Sequence, residues 1–381
     1  MLIIADENMP YAHDWFSPFG TVRTLPGRSL DAESVCEADA LLVRSVTRVN
    51  RDLLQGGRVR FVGSATSGIE HIDTDYLTAQ EITYASAPGC NANAVVEYVL
   101  SSLCALDGVL EKLLAGAVVG VIGLGNVGSR LVRRLQALGV ACVGFDPYLA
   151  NDCGLPLREL ESVLCADVIC CHTPLTSNGS YPTRHLLDMK RLHELRKDTV
   201  LINASRGAVV DNAALMEVLR TRDDLRVVLD VWESEPAIDL ALLDAVTLAT
   251  PHIAGYSWDG KVAGTQMILA AFCDAFHLRV PERALVEDRL TVNIEPTQNT
   301  AELLRSAMQS VYDVRRDDRI MRDALHMCEA HEIAATFDRL RKNYPQRREI
   351  TACVIENWRE LDTVAQLQLR RLGFVFESAT Q

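Results

Sequence analysis

The segment that most constrains the fold is residues 118–139, VVGVIGLGNVGSRLVRRLQALG. An apolar run with strand character, Val118 to Ile122, leads directly into three glycines and then into a stretch with helical periodicity. Gly123 suits a tight turn, Gly125 leaves room for a phosphate beside the backbone, and Gly128 lets the helix pack close to the strand. This order predicts a β-α-β unit that binds a dinucleotide at the helix N-terminus.

The acidic residue that follows this unit indicates which dinucleotide is bound. The next apolar run, Ala141 to Phe145, ends at Asp146. A carboxylate in that position accepts hydrogen bonds from the ribose hydroxyls and repels a 2′-phosphate, which favours NAD over NADP. Glycines also mark ordinary turns, but the strand, the helix and Asp146 together favour the cofactor-binding interpretation. We therefore predict NAD as the cofactor.

Short apolar runs alternate with helical stretches on both sides of this unit, which is an α/β pattern. Further strands are predicted at residues 2–5, 40–43, 59–62, 82–85, 168–171, 200–203 and 227–229. We expect a doubly wound, Rossmann-type NAD domain over residues 93–255, opening with a long buried helix behind Asn91. A flavodoxin-like α/β substrate domain would combine residues 1–92 and 256–282.

The character of the sequence changes beyond about residue 280. Pro281 and Pro296 lead into charged helical stretches such as DVRRDDRIMRDAL, and a β-like run occupies residues 373–376. These features predict a small α+β C-terminal domain at residues 283–381, to which we assign dimerisation.

Composition excludes several classes of protein. No apolar run in the 381 residues reaches the roughly 18 residues of a membrane-spanning helix, and the N-terminus lacks the basic flank of a signal peptide, so we expect a cytoplasmic protein. The formal charge of −13 disfavours nucleic acid as a partner and requires local arginines to bind any anionic substrate. The 11 cysteines are scattered without a CxxC pair, so neither a metal site nor a disulfide framework is predicted.

Three polar segments after the nucleotide unit have the side chains that a hydride-transfer site needs. NASRG at residues 203–207 places Arg206 after an apolar strand, where a guanidinium can bind a carboxylate and polarise a carbonyl. TPHIAGY at residues 250–256 offers His252 as the acid/base, and DVWESEP offers Glu235 to stabilise the imidazolium. A histidine after a proline is often only a packed loop residue, but the three segments together favour catalysis.

The order of glycine turn, NASRG, DVWESEP and TPHIAG resembles the D-isomer-specific 2-hydroxyacid dehydrogenase family over roughly residues 40–280. The resemblance implies two domains, NAD as cofactor and a catalytic trio of Arg206, Glu235 and His252. It also implies substrate contacts at Ser45, Thr66 and Tyr256. The implied NAD contacts, besides the turn glycines, are Asn126, Val127, Asp146, Thr173, Asp230 and Gly255.

A second set of motifs resembles one branch of that family, which oxidises a phosphorylated four-carbon hydroxy acid in vitamin B6 synthesis. Such a substrate carries a carboxylate at one end and a phosphate at the other. Arg206 with the loop at residues 64–68 would take the carboxylate, and Arg44, Arg347 and Arg348 are candidates for the phosphate. Arg347 and Arg348 are either surface charges or reach the site across a homodimer. The motifs are ADENMP, LLVRSVT, SAPGCNA, PHIAGYS and YPQRREI.

Two alternatives stay open at this point. A sibling dehydrogenase could act on the shorter acid 3-phosphoglycerate, although YPQRREI and Tyr256 favour the four-carbon substrate. The same scaffold also resembles NAD-sensing corepressors, which bind partner peptides and can keep the Arg-Glu-His trio. Turnover, rather than the trio, distinguishes these classes.

Overall fold

The structure is a computed structural model that describes residues 1–150, 152–282 and 289–376. Chain contacts divide it into two compact units, unit 1 (Met1–Ala92 and Ser257–Asp288) and unit 2 (Asn93–Tyr256 and Arg289–Gln381). The C-terminal residues thus group with the predicted NAD domain, and the three-domain division stays a prediction. No described helix is both long and apolar enough to cross a membrane.

Unit 1 is a five-stranded, wholly parallel sheet in the order β2-β1-β3-β4-β5, with helices around it. This is the flavodoxin-like order, so the predicted fold of this unit is confirmed. Its elements are β1 (Leu2–Asp6), α1 (Ala12–Phe16), β2 (Thr21–Leu25), α2 (Ala32–Val35), β3 (Ala40–Val43), α3 (Arg51–Leu54), β4 (Phe61–Ser64), α4 (Thr74–Ala79), β5 (Thr83–Ser86) and the late helix α12 (Trp258–Ala275).

The central strands of unit 1 are buried along their whole length, as expected of parallel strands covered on both faces. Helix α12 completes the core, because Phe272 packs against the rings of Phe16 and Phe61. The helix also lies close to the chain after β4, where a side-chain carbon at Gly264 would come within 2.8 Å of the Ala65 carbonyl oxygen.

Unit 2 contains a six-stranded parallel sheet in the order β11-β10-β9-β8-β6-β7. The strand order reverses at β6, and ligands of open α/β sheets bind at such a switch point, beyond the carboxyl ends of the strands. The Rossmann-type prediction is confirmed. The elements are α5 (Ala92–Ala105), α6 (Val109–Leu114), β6 (Val118–Ile122), α7 (Asn126–Ala137), β7 (Ala141–Phe145), α8 (Leu160–Val163), β8 (Val168–Cys171), α9 (Met189–Glu194), β9 (Val200–Asn203), α10 (Asn212–Leu219), β10 (Arg226–Leu229), α11 (Leu240–Ala245) and β11 (Leu248–Ala249).

In its described residues, the C-terminal segment of unit 2 adds four α-helices and a two-stranded parallel sheet. It packs on the Rossmann sheet through specific bonds, since Asp318 accepts from the Ala249 N–H at 2.8 Å and Arg322 donates to the Val246 carbonyl at 3.0 Å. Its elements are β12 (Leu290–Val292), α13 (Thr300–Val311), α14 (Val314–His326), α15 (Ile333–Lys342), β13 (Cys353–Ile355) and α16 (Thr363–Leu372).

One strand prediction in this segment is wrong. In the described part of residues 373–376 there is a single isolated bridge, between Val375 and Val354, and no strand. Gly373 ends α16 at a φ of 118°, so the run is a helix terminus whose apolar residues turn back onto the core.

Candidate active site

The glycine turn has the geometry that a dinucleotide requires. Gly123 adopts a φ of 88°, and Gly128 lies so close to the Gly123 carbonyl oxygen that a side chain there would clash with it. Open space surrounds Gly125, the N-cap of α7. Asn126 and Val127 form the first turn of that helix, with Val127 partly buried against the core. The residues therefore fit a pyrophosphate at the N-terminus of α7.

Two further cofactor candidates lie at neighbouring strand ends. Asp146 follows β7, and its carboxylate accepts from the Leu124 N–H at 2.9 Å and the Tyr148 N–H at 3.1 Å. Thr173 follows β8, and its buried hydroxyl has no hydrogen-bond partner among the described residues, as expected of a group that bonds to a ligand. The ring nitrogens of neighbouring His172 are buried, and burial lowers the pKa of this imidazole to about 4, so it is neutral.

Arg206 is half-buried three residues beyond β9. The Asn203 side chain donates to the Arg206 carbonyl at 3.0 Å, and Arg206 Nη1 donates to the Ser205 carbonyl at 2.9 Å. Gly207 then brings this segment against the next loop so closely that a Cβ atom would collide with the main chain of Trp232 and Glu233. The positions of the arginine and of the Glu235 loop are thus coupled.

A short hydrogen bond joins Glu235 and His252, with His252 Nδ1 at 2.5 Å from Glu235 Oε1. Burial alone would raise the pKa of Glu235, but the hydrogen bond and charge of His252, the Trp232 N–H and the charge of Arg341 together hold this pKa below its usual value. Because an ionised carboxylate only accepts, Nδ1 carries the proton, and Nε2 of the neutral imidazole is left as the base. His252 adopts a φ of 56°, in the left-handed region that non-glycine residues uncommonly occupy.

Asp230, predicted to contact NAD, holds the histidine loop in the structure. Its buried carboxylate accepts from the Thr250 hydroxyl and the Ile253 N–H, both at 2.7 Å, and from the Ala254 N–H at 3.0 Å. The Asp230 carbonyl accepts from the His252 N–H at 2.7 Å. Burial raises the pKa of Asp230, while the His252 charge and these bonds oppose that rise. Its contact with NAD stays a prediction.

Gly255 and Tyr256, predicted to contact NAD and substrate respectively, end this loop and are half-buried. The Tyr256 ring centroid lies 5.8 Å from that of Tyr344, nearly perpendicular to it, and 5.8 Å from Arg341 Cζ. Arg341 belongs to α15 and was not identified from the sequence, because no motif connects it to residues 85 positions earlier.

In unit 1, Arg44 and Ser45 follow β3 directly; Arg44 is half-buried and Ser45 exposed. Sequence reasoning missed Lys261, which lies one turn into α12. Burial lowers the pKa of Lys261, and the nearby Arg44 charge lowers it further. Two cations held together near a helix N-terminus are favourable for binding an anion. The feature of the sequence that could have identified Lys261 is its position shortly after the PHIAGYS motif.

Thr66 lies in the loop after β4, within a network of polar side chains in unit 1. Its hydroxyl hydrogen-bonds with Ser64 Oγ at 2.7 Å and donates to the Gly68 carbonyl at 3.2 Å, and Ser64 Oγ lies 3.0 Å from His71 Nε2. Burial lowers the pKa of His71 against the opposing charge of Glu70. The loop is therefore ordered by its own side chains.

Arg347 has a position that its sequence context did not suggest. The residue is only 6% exposed, its Nη2 donates to the carbonyls of Ala94 and Ala254 at 2.8 Å each, and its Cζ lies 4.2 Å from the Tyr312 ring centroid. Nη2 is thus used by the protein's own carbonyls, whereas Nε and Nη1 are buried without a hydrogen-bond partner among the described residues. The predicted phosphate contact of Arg347 stays a prediction. Arg348 beside it is half-buried.

Comparison with known proteins identifies the family and the fold. Residues 104–254 match the family model for the NAD-binding domain of D-isomer specific 2-hydroxyacid dehydrogenases, and residues 286–373 match a domain of unknown function, DUF3410. Two solved structures share the fold. The first is Aquifex aeolicus D-lactate dehydrogenase complexed with NAD and lactic acid, which has a TM-score of 0.60 and 21% identity and matches 73% of this chain and 95% of that one. The second is NAD-bound 3-phosphoglycerate dehydrogenase of Entamoeba histolytica, which has a TM-score of 0.61 and 20% identity and matches 73% of this chain and 95% of that one. Fold and site thus define an NAD-dependent dehydrogenase of the D-isomer-specific 2-hydroxyacid class.

Curated relatives narrow the class further. The erythronate-4-phosphate dehydrogenase of Pseudomonas entomophila is 48% identical over 96% of this chain and 97% of its own length. That of Cellvibrio japonicus is 48% identical over 92% of this chain and 93% of its own length. The chain belongs to the erythronate-4-phosphate dehydrogenase family. The resemblance seen in the sequence motifs is thereby confirmed.

Proposed function

We propose that the protein oxidises 4-phospho-D-erythronate to 3-hydroxy-2-oxo-4-phosphobutanoate with NAD, a step of vitamin B6 (pyridoxal phosphate) synthesis. The observation that carries the proposal is the Glu235–His252 pair at 2.5 Å, on the same sheet edge as Arg206, in a chain whose relatives bear the name of this activity. A buried carboxylate bonded to Nδ1 is the arrangement that prepares an imidazole to take a proton.

In the proposed reaction the C2 hydroxyl loses its proton to His252 Nε2 as the C2–H bond breaks and the carbonyl forms. NAD, when bound at the turn of Gly123 to Gly128, supplies the acceptor for the hydride. Arg206 holds the substrate carboxylate and stabilises charge developing on the C2 oxygen. Glu235 stabilises the imidazolium and keeps the ring oriented.

Recognition of the phosphate is proposed to involve Arg44 and Lys261. These two cations lie near each other at the end of β3 and the start of α12, and neighbouring Ser45 offers a hydroxyl. A dianionic phosphate would offset the repulsion between the two cations. The ordered hydroxyl of Thr66 would serve the substrate as a further hydrogen-bond partner.

We also propose that the protein acts as a cytoplasmic homodimer. All 11 cysteines are free thiols in the structure, including the adjacent pair Cys170 and Cys171, which favours a reducing compartment. Assembly through the C-terminal segment is checked by light scattering after gel filtration, where a monomer mass for the full chain would contradict it.

The catalytic assignment is tested with His252→Asn, measured as NAD reduction with 4-phosphoerythronate. Loss of the base should lower kcat/KM by about 10²- to 10⁴-fold. His193→Asn is the matched control, because His193 is exposed on α9. A His252→Asn enzyme as active as the control would contradict the proposal.

A further inference from the structure

The loop that carries His252 has a main-chain conformation that its neighbours must hold. His252 adopts a φ of 56°, and a left-handed conformation costs free energy in a residue with a side chain. The Asp230 carbonyl helps to hold this conformation, because it accepts from the His252 N–H at 2.7 Å. The Asp230 carboxylate accepts from the next two N–H groups of the loop, those of Ile253 at 2.7 Å and Ala254 at 3.0 Å. The orientation of this carboxylate therefore helps to set the course of the catalytic loop.

Two buried hydroxyl groups connect the Asp230 carboxylate to helix α5. Thr250 donates to Asp230 Oδ1 at 2.7 Å, and the Tyr98 hydroxyl lies 2.8 Å from Thr250 Oγ1. Because Thr250 gives its single hydroxyl proton to Asp230, Tyr98 must be the donor to Thr250. Burial raises the pKa of Tyr98 well above its ordinary value, so the phenol keeps this proton. Tyr98 and Thr250 are fully buried and Asp230 is nearly so, which protects these bonds from competition by water.

The main chain of Thr250 is held as well, from the loop that carries Glu235. Trp232 Nε1 donates to the Thr250 carbonyl at 3.0 Å, and the Trp232 N–H donates to Glu235 Oε2 at 3.2 Å. Two residues after Thr250, His252 Nδ1 lies 2.5 Å from Glu235 Oε1. The bonds made by Thr250 therefore fix the start of the segment that must bring His252 to Glu235.

We propose that Tyr98 and Thr250 are positioning residues for the reaction. The Tyr98 hydroxyl fixes the Thr250 side chain, and Thr250 orients the Asp230 carboxylate. Asp230 in turn fixes the loop in which His252 faces Glu235. This role rests on the proposed function, because proton transfer needs a base that is held in place.

The experiment compares Tyr98→Phe with Tyr312→Phe, measured as NAD reduction with 4-phosphoerythronate. Tyr312 is the matched control, because it is also a buried tyrosine of unit 2 whose hydroxyl donates to a carboxylate, that of Asp317. Tyr98→Phe should lower kcat by about 5- to 10-fold, as expected for the loss of one buried hydrogen bond that holds a reacting group. The KM of this variant should change by less than about twofold, and Tyr312→Phe should keep kcat within about twofold of the wild-type value.

Thr250 offers a second comparison, between variants with and without a hydroxyl. Thr250→Ser keeps the hydroxyl and should keep kcat close to the wild-type value, whereas Thr250→Val keeps the shape, lacks the hydroxyl and should lose about 10-fold. Equal losses in the Ser and Val variants would indicate packing rather than hydrogen bonding and would overturn the inference. Equal kcat values for Tyr98→Phe and Tyr312→Phe would overturn it as well.

A further readout needs no turnover. The N–H groups of residues 252–254 bond to Asp230, so their hydrogen exchange, followed by mass spectrometry, should be about 5-fold faster in Tyr98→Phe and unchanged in Tyr312→Phe. Unchanged exchange in Tyr98→Phe would contradict the positioning role. If 4-phosphoerythronate is not oxidised at all, the proposed function fails, while the exchange measurement still decides whether Tyr98 holds the loop.

Discussion

Replacing Gly207 with alanine should damage catalysis although the residue itself has no side chain to contribute. Gly207 follows Arg206, and an added Cβ would lie well under 3.0 Å from main-chain atoms of Trp232 and Glu233. Main chain cannot rotate away as a side chain can. The loop that carries Glu235 would therefore have to move by about 1 Å or more to restore ordinary contact at 3.4 Å.

The expected magnitude follows from that displacement. A misplacement of about 1 Å costs roughly 10²-fold in rate, equivalent to about 2.7 kcal/mol in the activation free energy. Overpacking should also lower the free energy of unfolding by about 1–3 kcal/mol. The loss should appear mainly in kcat, because Arg206 stabilises charge that develops on the C2 oxygen and Glu235 stabilises the imidazolium that forms, and both effects are strongest in the transition state.

The assay is steady-state NAD reduction with 4-phosphoerythronate, together with urea unfolding of the same samples. Gly57→Ala is the control, since its Cβ would meet Cys36 of unit 1 at 3.3 Å, a contact that small adjustments can relieve. Gly207→Ala with kcat and unfolding free energy equal to those of the control would refute the reasoning that couples the two loops.

Two other predictions concern the cofactor turn and a buried carboxylate. Gly125→Ala should weaken NAD binding in calorimetry with little change in melting temperature, because open space surrounds that position. Gly128→Ala should also lower the melting temperature, because its side chain would clash with the Gly123 carbonyl oxygen. Identical behaviour of the two variants would contradict the assigned turn. Burial, followed by the charge of Glu349, raises the pKa of Glu97 from 4.5 to about 8, so its contribution to stability is present below pH 4.5 and is lost as the pH rises to about 8. Glu97→Gln should flatten this part of the stability profile in urea unfolding, and an unchanged slope would count against the assignment.

Buried parallel strands were the most predictable part of the fold. β3, β6, β8 and β9 have the bounds expected from their apolar runs, because strands covered on both faces need continuous apolar sequence. β7 also has the expected bounds, although it is a half-buried edge strand. β2, with the sequence TVRTL, was missed because it is an edge strand that leaves polar side chains exposed. The apolar run at residues 373–376 was wrongly predicted as a strand, because apolar residues that follow a helix C-terminus can pack on the core without forming a strand.

The candidate site was predictable where function is concentrated in short motifs. His252 and Glu235 lie 17 positions apart in the sequence, and the fold brings them to 2.5 Å, as their motifs suggested. Neither Arg341 nor Lys261 belongs to such a motif, and only tertiary packing brings them near the residues that they affect. For Arg347 the motif was recognised but the environment was not, because a sequence shows that a residue is charged and does not show that its side chain is buried.

The most direct test of the central claim is the rate of NAD reduction with three acids: 4-phosphoerythronate, 3-phosphoglycerate and unphosphorylated erythronate. A carbonyl trap is included to draw the reaction toward oxidation. The account predicts turnover confined to 4-phosphoerythronate. Preference for 3-phosphoglycerate would keep the mechanism and contradict the substrate, and absence of turnover with all three would contradict the proposed dehydrogenase function.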